Sequence, residues 1–325
     1  TVWWMFKTLY DRGLIYEGYK SMHICPRCET TLANFEVSQG YEDIQDLSVF
    51  VKFKVQSSKF KNSLAEEDKP TYILAWTTTP WTLPGNVALA IDPREDYLEA
   101  ELKEKNATNI KLEVGEKIIF MDKAQIQNLL FGDELREDGD SLEKVDGYYS
   151  RQVVNYFGQG NLVFDVVLRH GHDLVKQAYE PLFDYYSSDP KLNNRENGWK
   201  IYPADFVTTD EGTGVVHIAP AFGEEDMEMG KRFDLPFVQH VAMNGTFKNE
   251  VKDFAGLSVK PKEDHQVTDK KIIALLESRG LLFLKKEIMH SYPHCWRCDT
   301  PLLNYAASSW FVDVTKIKKD LTANN

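Results

Sequence analysis

Every cysteine of the chain belongs to one of two C-x-x-C pairs, formed by Cys25, Cys28, Cys295 and Cys298. Thiolates at this spacing can both bind one Zn²⁺ from a tight turn, at about 2.3 Å each, and two such turns complete a tetrahedral site. A site closed by four protein ligands is structural and not catalytic. A pair of redox motifs or reduced structural thiols would also fit the pattern. We favour zinc because all four cysteines belong to this pattern. The first residues carry no basic leader region, which argues against a secreted disulfide scaffold.

A second candidate site is the segment 76–86, which reads Trp-Thr-Thr-Thr-Pro-Trp-Thr-Leu-Pro-Gly-Asn. Its three consecutive threonines, Thr77, Thr78 and Thr79, offer hydroxyls that both donate and accept hydrogen bonds. The two prolines fix the backbone and remove two amide donors. The segment is therefore rigid and polar, and it suits recognition of a small polar group. By composition alone, a β-bulge with solvated threonines is the better explanation.

A third candidate is the segment 212–226, which reads Gly-Thr-Gly-Val-Val-His-Ile-Ala-Pro-Ala-Phe-Gly-Glu-Glu-Asp. Gly212 and Gly214 permit a tight turn and close backbone approach. His217 then falls on a predicted strand, and the acidic run opens a helix, so that His217 and Asp226 could face one cleft. A core histidine followed by ordinary acids at a helix start explains the composition equally simply. The Gly-x-Gly lacks the third glycine of a dinucleotide-binding turn, and no P-loop or Gly-x-Ser-x-Gly motif is present.

Hydrophobic periodicity predicts the elements that must position these residues. Strands are predicted over 14–24, 47–55, 71–76, 87–91, 97–102, 111–114, 161–168, 200–207, 214–218 and 281–288. Helices are predicted from residue 2 to a stop at Gly13, and over 122–130, 223–233 and 262–279. The acidic stretch 132–161 lacks clear periodicity and is predicted to be an irregular loop region. The resulting fold class is α+β and rich in β-structure.

Bulk properties limit the function classes. The chain has 325 residues, a length that predicts one large domain with a small second domain. Its net charge of −12 argues against a general nucleic-acid binder, because neutralising phosphates needs clustered Lys and Arg. The charge does not exclude a protein that meets only the end of an RNA strand. No apolar run approaches the ~20 residues that cross a bilayer, so no membrane partner is expected.

Segments 76–86 and 212–226, together with the two cysteine pairs, resemble the connective-peptide insertion of class I isoleucyl-tRNA synthetases. The valyl and leucyl families carry Thr-Thr-Arg-Pro followed by an acid, whereas this chain has Thr79 and Trp81 at those positions. The likeness extends over nearly the whole chain and is weakest over 130–200. The motifs His-Ile-Gly-His and Lys-Met-Ser-Lys-Ser are absent. We therefore expect a fragment of a larger synthetase that cannot itself activate isoleucine with ATP and Mg²⁺.

The resemblance implies an editing hydrolase. A pocket discriminates one methylene by only ~1–3 kcal/mol, a limit for which isoleucyl enzymes are a well-known example, so misformed Val-tRNA(Ile) must be hydrolysed at a second site. It implies Asp226 as the anchor of the α-ammonium and His217 as the steric gate. Thr77, Thr78 and Thr79 would contact the ribose, the ester or the water. Further substrate contacts are implied at Trp76, Trp81, Asn86, Gly212, Thr213, Gly214, Ala219 and Pro220. No Ser or Cys nucleophile and no catalytic metal are expected.

The resemblance also implies an organisation in three parts. Residues 1–45 would form a stem helix and the first zinc knuckle. Residues 46–286 would form a β-barrel-like editing domain with peripheral helices and a variable insertion at about 130–200. Residues 287–325 would form the second knuckle and return toward the catalytic core. The expected partners are the 3′ end of tRNA(Ile) carrying valine and the rest of the parent enzyme, in a cytoplasmic protein whose isolated fragment is a monomer.

Three other functions remain open at the level of sequence. The same editing fold could come from a valyl or leucyl enzyme, against which Thr79 and Trp81 argue. A non-catalytic zinc-ribbon module that binds tRNA would explain the cysteines but not the two editing motifs. An independent trans-editing deacylase is disfavoured, because the chain starts within a predicted helix.

Overall fold

The computed structural model describes residues 1–56, 69–105, 110–122, 143–145, 148–153, 162–208, 210 and 212–323. Its helices are Val2–Asp11 (α1), Asn34–Val37 (α2), Gly171–Leu174 (α3), Glu224–Arg232 (α4), Val267–Ser278 (α5) and Lys318–Ala323 (α6). Three short 3-10 turns cover Pro80–Gly85, Arg195–Asn197 and Val314–Ile317. None of the helices in these described ranges is long and apolar enough to cross a membrane.

The strands are Ile15–Cys25 (β1), Thr30–Thr31 (β2), Tyr41–Lys54 (β3), Thr71–Thr77 (β4), Ala88–Ile91 (β5), Asp96–Lys105 (β6), Lys117–Met121 (β7), Glu143–Val145 (β8), Tyr148–Val153 (β9), Leu162–His170 (β10), Lys200–Pro203 (β11), Val215–Ile218 (β12), Leu282–Pro293 (β13) and Leu303–Val312 (β14). They form an eight-stranded central sheet in the order β13-β3-β4-β7-β6-β10-β9-β8. Two three-stranded sheets have the orders β11-β5-β12 and β14-β1-β2. The prediction of a mixed, β-rich fold is confirmed. Closure of the central sheet into a barrel stays a prediction.

Strand β4 lies in the interior of the central sheet, between β3 and β7. Its residues 71–75 are all buried, as are all five residues of β7, because a strand covered on both faces must be apolar almost throughout. The main hydrophobic core lies around these strands and contains Phe53, Ile73, Tyr97, Phe120 and Phe164. The carboxyl end of β4 is therefore anchored in the core, and its last residues, Trp76 and Thr77, lie at the edge of this core.

The two ends of the chain meet in the third sheet, which we call the stem. Strands β1 and β14 pair antiparallel from Ile15 opposite Val312 to Ile24 opposite Leu303. A separate small core holds Cys25, Leu32, Val37, Cys295 and Leu302. Strands β3 and β13 run without a break from this region into the central sheet, so they cross the predicted boundaries after residues 45 and 286. Those boundaries stay a prediction.

Several predicted elements are wrong or shifted, and three of these differences have a clear physical reason. Residues 111–114 are not a strand; the strand begins at Lys117, after Gly115 turns the chain with a φ of 90°. Strands β8 and β9 occur where an irregular loop was predicted, because β9 adds to β10 and β8 adds to β9 by backbone pairing, which requires no apolar period. Helix α5 begins at Val267 and not at residue 262, since the Asp264 side chain accepts the Gln266 N–H and forms a turn first. The structure describes only the first residue of the predicted helix 122–130, and the remaining residues, 123–130, lie outside the described ranges.

Candidate functional site

The threonine run forms a hydrogen-bonded bend where β4 ends. The Thr79 N–H donates to Thr77 Oγ1 at 3.1 Å, and the two hydroxyl oxygens lie 3.2 Å apart. Thr77 is 8% exposed, whereas Thr78 and Thr79 are half-buried. The 3-10 turn Pro80–Gly85 follows at once, since a proline at the first position of a helical turn needs no amide donor. The bend is thus rigid, and it leaves Thr78 and Thr79 at the surface of the core.

A hydroxyl that the sequence reasoning did not single out joins the two motifs. Thr82 Oγ1 donates its only hydrogen to the Thr79 carbonyl at 2.8 Å. The same oxygen lies 2.9 Å from His217 Nε2 and must therefore accept from it. His217 is thus the neutral tautomer with its proton on Nε2, and burial lowers its pKa to about 4. The one available clue was the position of Thr82, three residues after Thr79 and between the two prolines.

Strand pairing and a glycine contact also bring segments 76–86 and 212–226 together. Strand β5 directly follows the first segment and pairs with β12, which puts His217 opposite Leu89. Gly212 has a φ of 64°, and a Cβ added there would come within 2.9 Å of the Trp76 Cβ. Only glycine tolerates both conditions at this position. The two segments therefore lie against each other.

The other residues of the glycine turn pack against the central sheet. The Thr213 carbonyl accepts the Met121 N–H at 2.9 Å, and Thr213 is 1% exposed. A Cβ on Gly214 would come within 2.2 Å of the Met121 Cβ. Tyr97 donates its hydroxyl hydrogen to the Gly214 carbonyl at 3.1 Å. These contacts fix the start of β12, and a substrate contact at Thr213 or Gly214 stays a prediction.

Asp226 lies in the first turn of α4, on the chain that leaves β12. Its Oδ2 accepts the Ala219 N–H at 3.0 Å. A Cβ on Gly223 would come within 2.8 Å of the Asp226 carboxyl carbon, so glycine is required for this close approach. Desolvation raises the pKa of Asp226 to about 7, and the neighbouring Glu225 adds to the shift. Ala219 holds the carboxyl in place, while Pro220 packs on Gly230 of the same helix. A half-buried carboxyl with such a pKa is suited to a cationic ligand.

Trp81 and Asn86 lie inside the protein. Trp81 is 2% exposed, and its ring meets Phe222 edge-on at a centroid distance of 5.4 Å. Asn86 donates to the Ala88 carbonyl at 2.9 Å and accepts from the Tyr179 hydroxyl at 2.7 Å. Both side chains support the turn, and direct contact of either with a substrate stays a prediction.

The four cysteine sulfurs converge in the stem. They lie within 4.8 Å of one another, with 3.5 Å between the sulfurs of Cys25 and Cys298 and 3.8 Å between those of Cys28 and Cys298. Four thiolates at 2.3 Å from one tetrahedral ion would be separated by about 3.8 Å. The residue after each pair, Glu29 and Asp299, takes the same left-handed conformation, with φ of 50° and 55°. The two turns are therefore alike, and their sulfurs are placed to hold one tetrahedral metal ion.

A polar cleft of about 730 Å³ separates the stem from α4. Its walls include Lys20, His23, Tyr41, Glu224 and Glu228. It contains neither the threonine run nor His217, and Asp226 is not among its lining residues. The cleft is therefore lined by other residues than the predicted site. The candidate site is therefore the place where the two segments meet. The cleft is lined by both basic and acidic side chains, and they do not form a recognisable catalytic or binding arrangement.

Comparison with known proteins gives a family match over the whole chain. Residues 1–325 match the family described as tRNA synthetases class I (I, L, M and V). Isoleucine–tRNA ligase of Clostridium acetobutylicum is 40% identical over 325 residues, which are 100% of this chain and 25% of that protein. The ligase of Treponema denticola is 37% identical over 343 residues, 100% of this chain and 27% of that protein. The chain thus spans about a quarter of the length of these relatives.

Solved structures give a weaker likeness. The editing domain of the P. knowlesi cytosolic leucyl-tRNA synthetase is 14% identical, with a TM-score of 0.37, over 60% of this chain and 66% of that one. The structure described as GlLeuRS-CP1 is 16% identical, with a TM-score of 0.35, over 57% of each chain. These TM-scores are too low to assign a fold or a function to this chain.

Proposed function

This chain belongs to the class I tRNA synthetases, and we propose that it is an isoleucyl-type editing module that hydrolyses valine from mischarged tRNA(Ile). The observation that carries the proposal is the junction of the two motifs, in which Thr82 accepts from His217 while Gly212 admits Trp76. This junction supports one site built from the threonine run, His217 and Asp226. Isoleucyl specificity is further supported by Thr79 and Trp81, which replace the arginine and the acid typical of the valyl and leucyl families.

Asp226 is proposed to bind the α-ammonium of the esterified amino acid. An ionised carboxylate accepts charge-assisted hydrogen bonds from an ammonium, and these are stronger than neutral ones. Because Oδ2 already accepts from Ala219, the carboxyl is held in a fixed orientation before the substrate arrives. An arriving ammonium would also favour the ionised form of a carboxyl whose pKa burial has raised to about 7.

His217 is proposed to limit the size of the amino-acid side chain. It is neutral, 8% exposed and fixed by Thr82, so its ring offers a rigid wall and no positive charge. A valine would fit beside such a wall, whereas the extra methylene of isoleucine would clash. Thr77, Thr78 and Thr79 are proposed to place the terminal ribose, the ester and the attacking water by hydrogen bonds. A terminal hydroxyl of the tRNA would assist the water, and the chemistry uses no Ser or Cys nucleophile.

The four cysteines are proposed to hold a structural Zn²⁺. The metal would supply cross-linking of the stem and no catalytic step, because four thiolates leave it no open position. The further proposed partners are the 3′ end of Val-tRNA(Ile) and the remaining parts of a longer cytoplasmic synthetase, which would bind isoleucine, ATP and Mg²⁺ elsewhere. The isolated chain is proposed to be a monomer.

The size gate gives a direct test of this function. His217→Ala should enlarge the pocket, so that Ile-tRNA(Ile) is hydrolysed at least about tenfold faster than by the unchanged protein, the effect expected for one methylene. The rates are measured with radiolabelled Val-tRNA and Ile-tRNA. The matched control is Val216→Ala on the same strand, whose side chain points to the other face, and it should leave discrimination unchanged. Unchanged discrimination in His217→Ala would remove the gate role.

The raised pKa of Asp226 predicts that the rate of hydrolysis depends on pH. Below its pKa of about 7 the carboxyl is protonated and cannot act as an anion, so kcat/KM for Val-tRNA should rise about fivefold from pH 6 to about pH 7.4. At higher pH it should fall again, because the substrate's own α-ammonium, with an ordinary pKa of about 8, loses its proton. His217 contributes no titration there, because its pKa is about 4. Asp269, another buried carboxyl with a pKa of about 7, requires a control. The profile of Asp269→Asn should keep the same midpoint, and a flat profile in the unchanged protein would contradict the anchor.

A further inference from the structure

Two buried side chains from outside both motifs hold the backbone of the turn that follows the threonine run. The Trp81 N–H donates to Asp269 Oδ1 at 3.1 Å. The Trp81 carbonyl lies 3.0 Å from His240 Nε2 and accepts from it. Asp269 lies on α5 and His240 lies before it, and both are 0% exposed. The peptide groups on both sides of Trp81 are thus fixed from two directions.

Asp269 belongs to a fully buried cluster of charges. Lys260 Nζ lies 3.3 Å from Asp269 Oδ2 and pairs with Asp46 as well, and all three side chains are 0% exposed. Buried ion pairs often contribute less to stability than apolar residues of equal volume. A cluster of this kind therefore needs another explanation than stability alone. In this protein its one link to the turn is the bond from the Trp81 N–H to Asp269, while Asp46 accepts from Leu47 on β3.

The His240 ring packs closely against the turn Pro80–Gly85. A Cβ on Gly85 would come within 2.2 Å of His240 Nδ1, so the glycine at the end of the turn admits the ring. Phe222 packs edge-on against the ring at 4.5 Å, and Phe247 stacks on it at 5.8 Å. Burial lowers the pKa of His240 to about 3, so the ring is neutral and its Nε2 proton points to the Trp81 carbonyl.

We infer that Asp269 and His240 are positioning residues for the editing site, acting through the Trp81 backbone; the inference rests on the function proposed above. Trp81 directly precedes Thr82, whose hydroxyl donates to the Thr79 carbonyl and accepts a hydrogen bond from His217 Nε2. A shift of the Trp81 peptide would therefore move Thr79 and release His217 together. Misplacement of reacting groups by about 1 Å costs on the order of a hundredfold in rate.

The test compares Asp269→Ala with Asp46→Ala in the complete protein. Each variant removes one buried carboxylate from Lys260, but only Asp269 touches the turn. Both should lower the melting temperature. At a temperature where both are folded, Asp269→Ala should lower kcat for Val-tRNA at least about tenfold with KM within about twofold, and Asp46→Ala should not. Amide exchange over residues 78–83 should accelerate only in Asp269→Ala.

A conservative variant separates positioning from stability. Asp269→Asn keeps an oxygen that accepts the Trp81 N–H while losing the charge, so it should retain most of kcat although it is destabilised. If Asp269→Ala does not fold, His240→Phe takes its place, because it keeps the ring and removes only the donor to Trp81. Equal kcat and equal exchange in the Asp269 and Asp46 variants overturn the inference. If the unchanged protein hydrolyses nothing, the proposed function fails, and the exchange difference still decides whether the two residues hold the turn.

Discussion

Asp226→Ala should abolish hydrolysis of Val-tRNA(Ile) while leaving the fold intact. Loss of one partner from a desolvated charge pair costs about 2–5 kcal/mol, which corresponds to a rate loss of roughly thirtyfold to several thousandfold. The structural cost is small, because the substitution releases one hydrogen bond to the Ala219 N–H and removes a half-buried acid whose ionised form is disfavoured by desolvation. The measurements are single-turnover deacylation and thermal unfolding of the same preparation.

Glu225→Ala is the matched control for that variant. It is the preceding acid on the same helix turn, it is exposed, and it changes the net charge by the same amount. Activity should stay within a factor of a few in Glu225→Ala. If Asp226→Ala keeps its activity to the same degree, the ammonium is bound elsewhere and the assignment of Asp226 is wrong.

Removal of the proposed zinc ion from the stem should have the largest effect on stability. Structural zinc contributes roughly 10–16 kcal/mol of apparent binding free energy in small zinc modules, so chelation or Cys295→Ala should release β1 and β14 and expose the stem to proteolysis. The central sheet has its own core, so Val-tRNA hydrolysis should be reduced and not lost. Metal analysis of the unchanged protein should find stoichiometric zinc.

Trp296→Ala is the control for the metal prediction. Trp296 lies inside the second knuckle and is 49% exposed, and it is not one of the proposed metal ligands. It should retain zinc and the proteolytic pattern of the unchanged protein. A protein purified without any metal, or a stem that resists proteolysis equally well after Cys295→Ala, would contradict the zinc proposal. A protein that hydrolyses no ester but loses its binding of tRNA on chelation would favour the non-catalytic zinc-ribbon module instead.

The parts of the site that sequence could predict are those set by local spacing. The C-x-x-C pairs fix each knuckle within four residues, and an apolar run ending in threonines places the run at a strand end. The contacts that hold the site come from far away. Asp269 is 188 residues from Trp81, and His240 is 159 residues from it. No local pattern distinguishes these two from any other helix acid or buried histidine.

The errors in the fold have a similar cause. Residues 111–114 alternate like a strand, yet Leu112 enters the core from a loop and the chain pairs only after the turn at Gly115. Strands β8 and β9 show the reverse, since their pairing with β10 and with each other depends on backbone groups. Edge pairing of this kind leaves little trace in the pattern of side chains.

The most direct test of the central claim is a deacylation assay of the complete protein with tRNA(Ile) charged with valine, threonine or isoleucine. We predict hydrolysis of Val-tRNA(Ile) well above the rate without protein, and at least about tenfold faster than that of Ile-tRNA(Ile). Valine and isoleucine esters that are equally stable in the presence of the protein, or an isoleucine ester that is cleaved as fast as the valine ester, would contradict it.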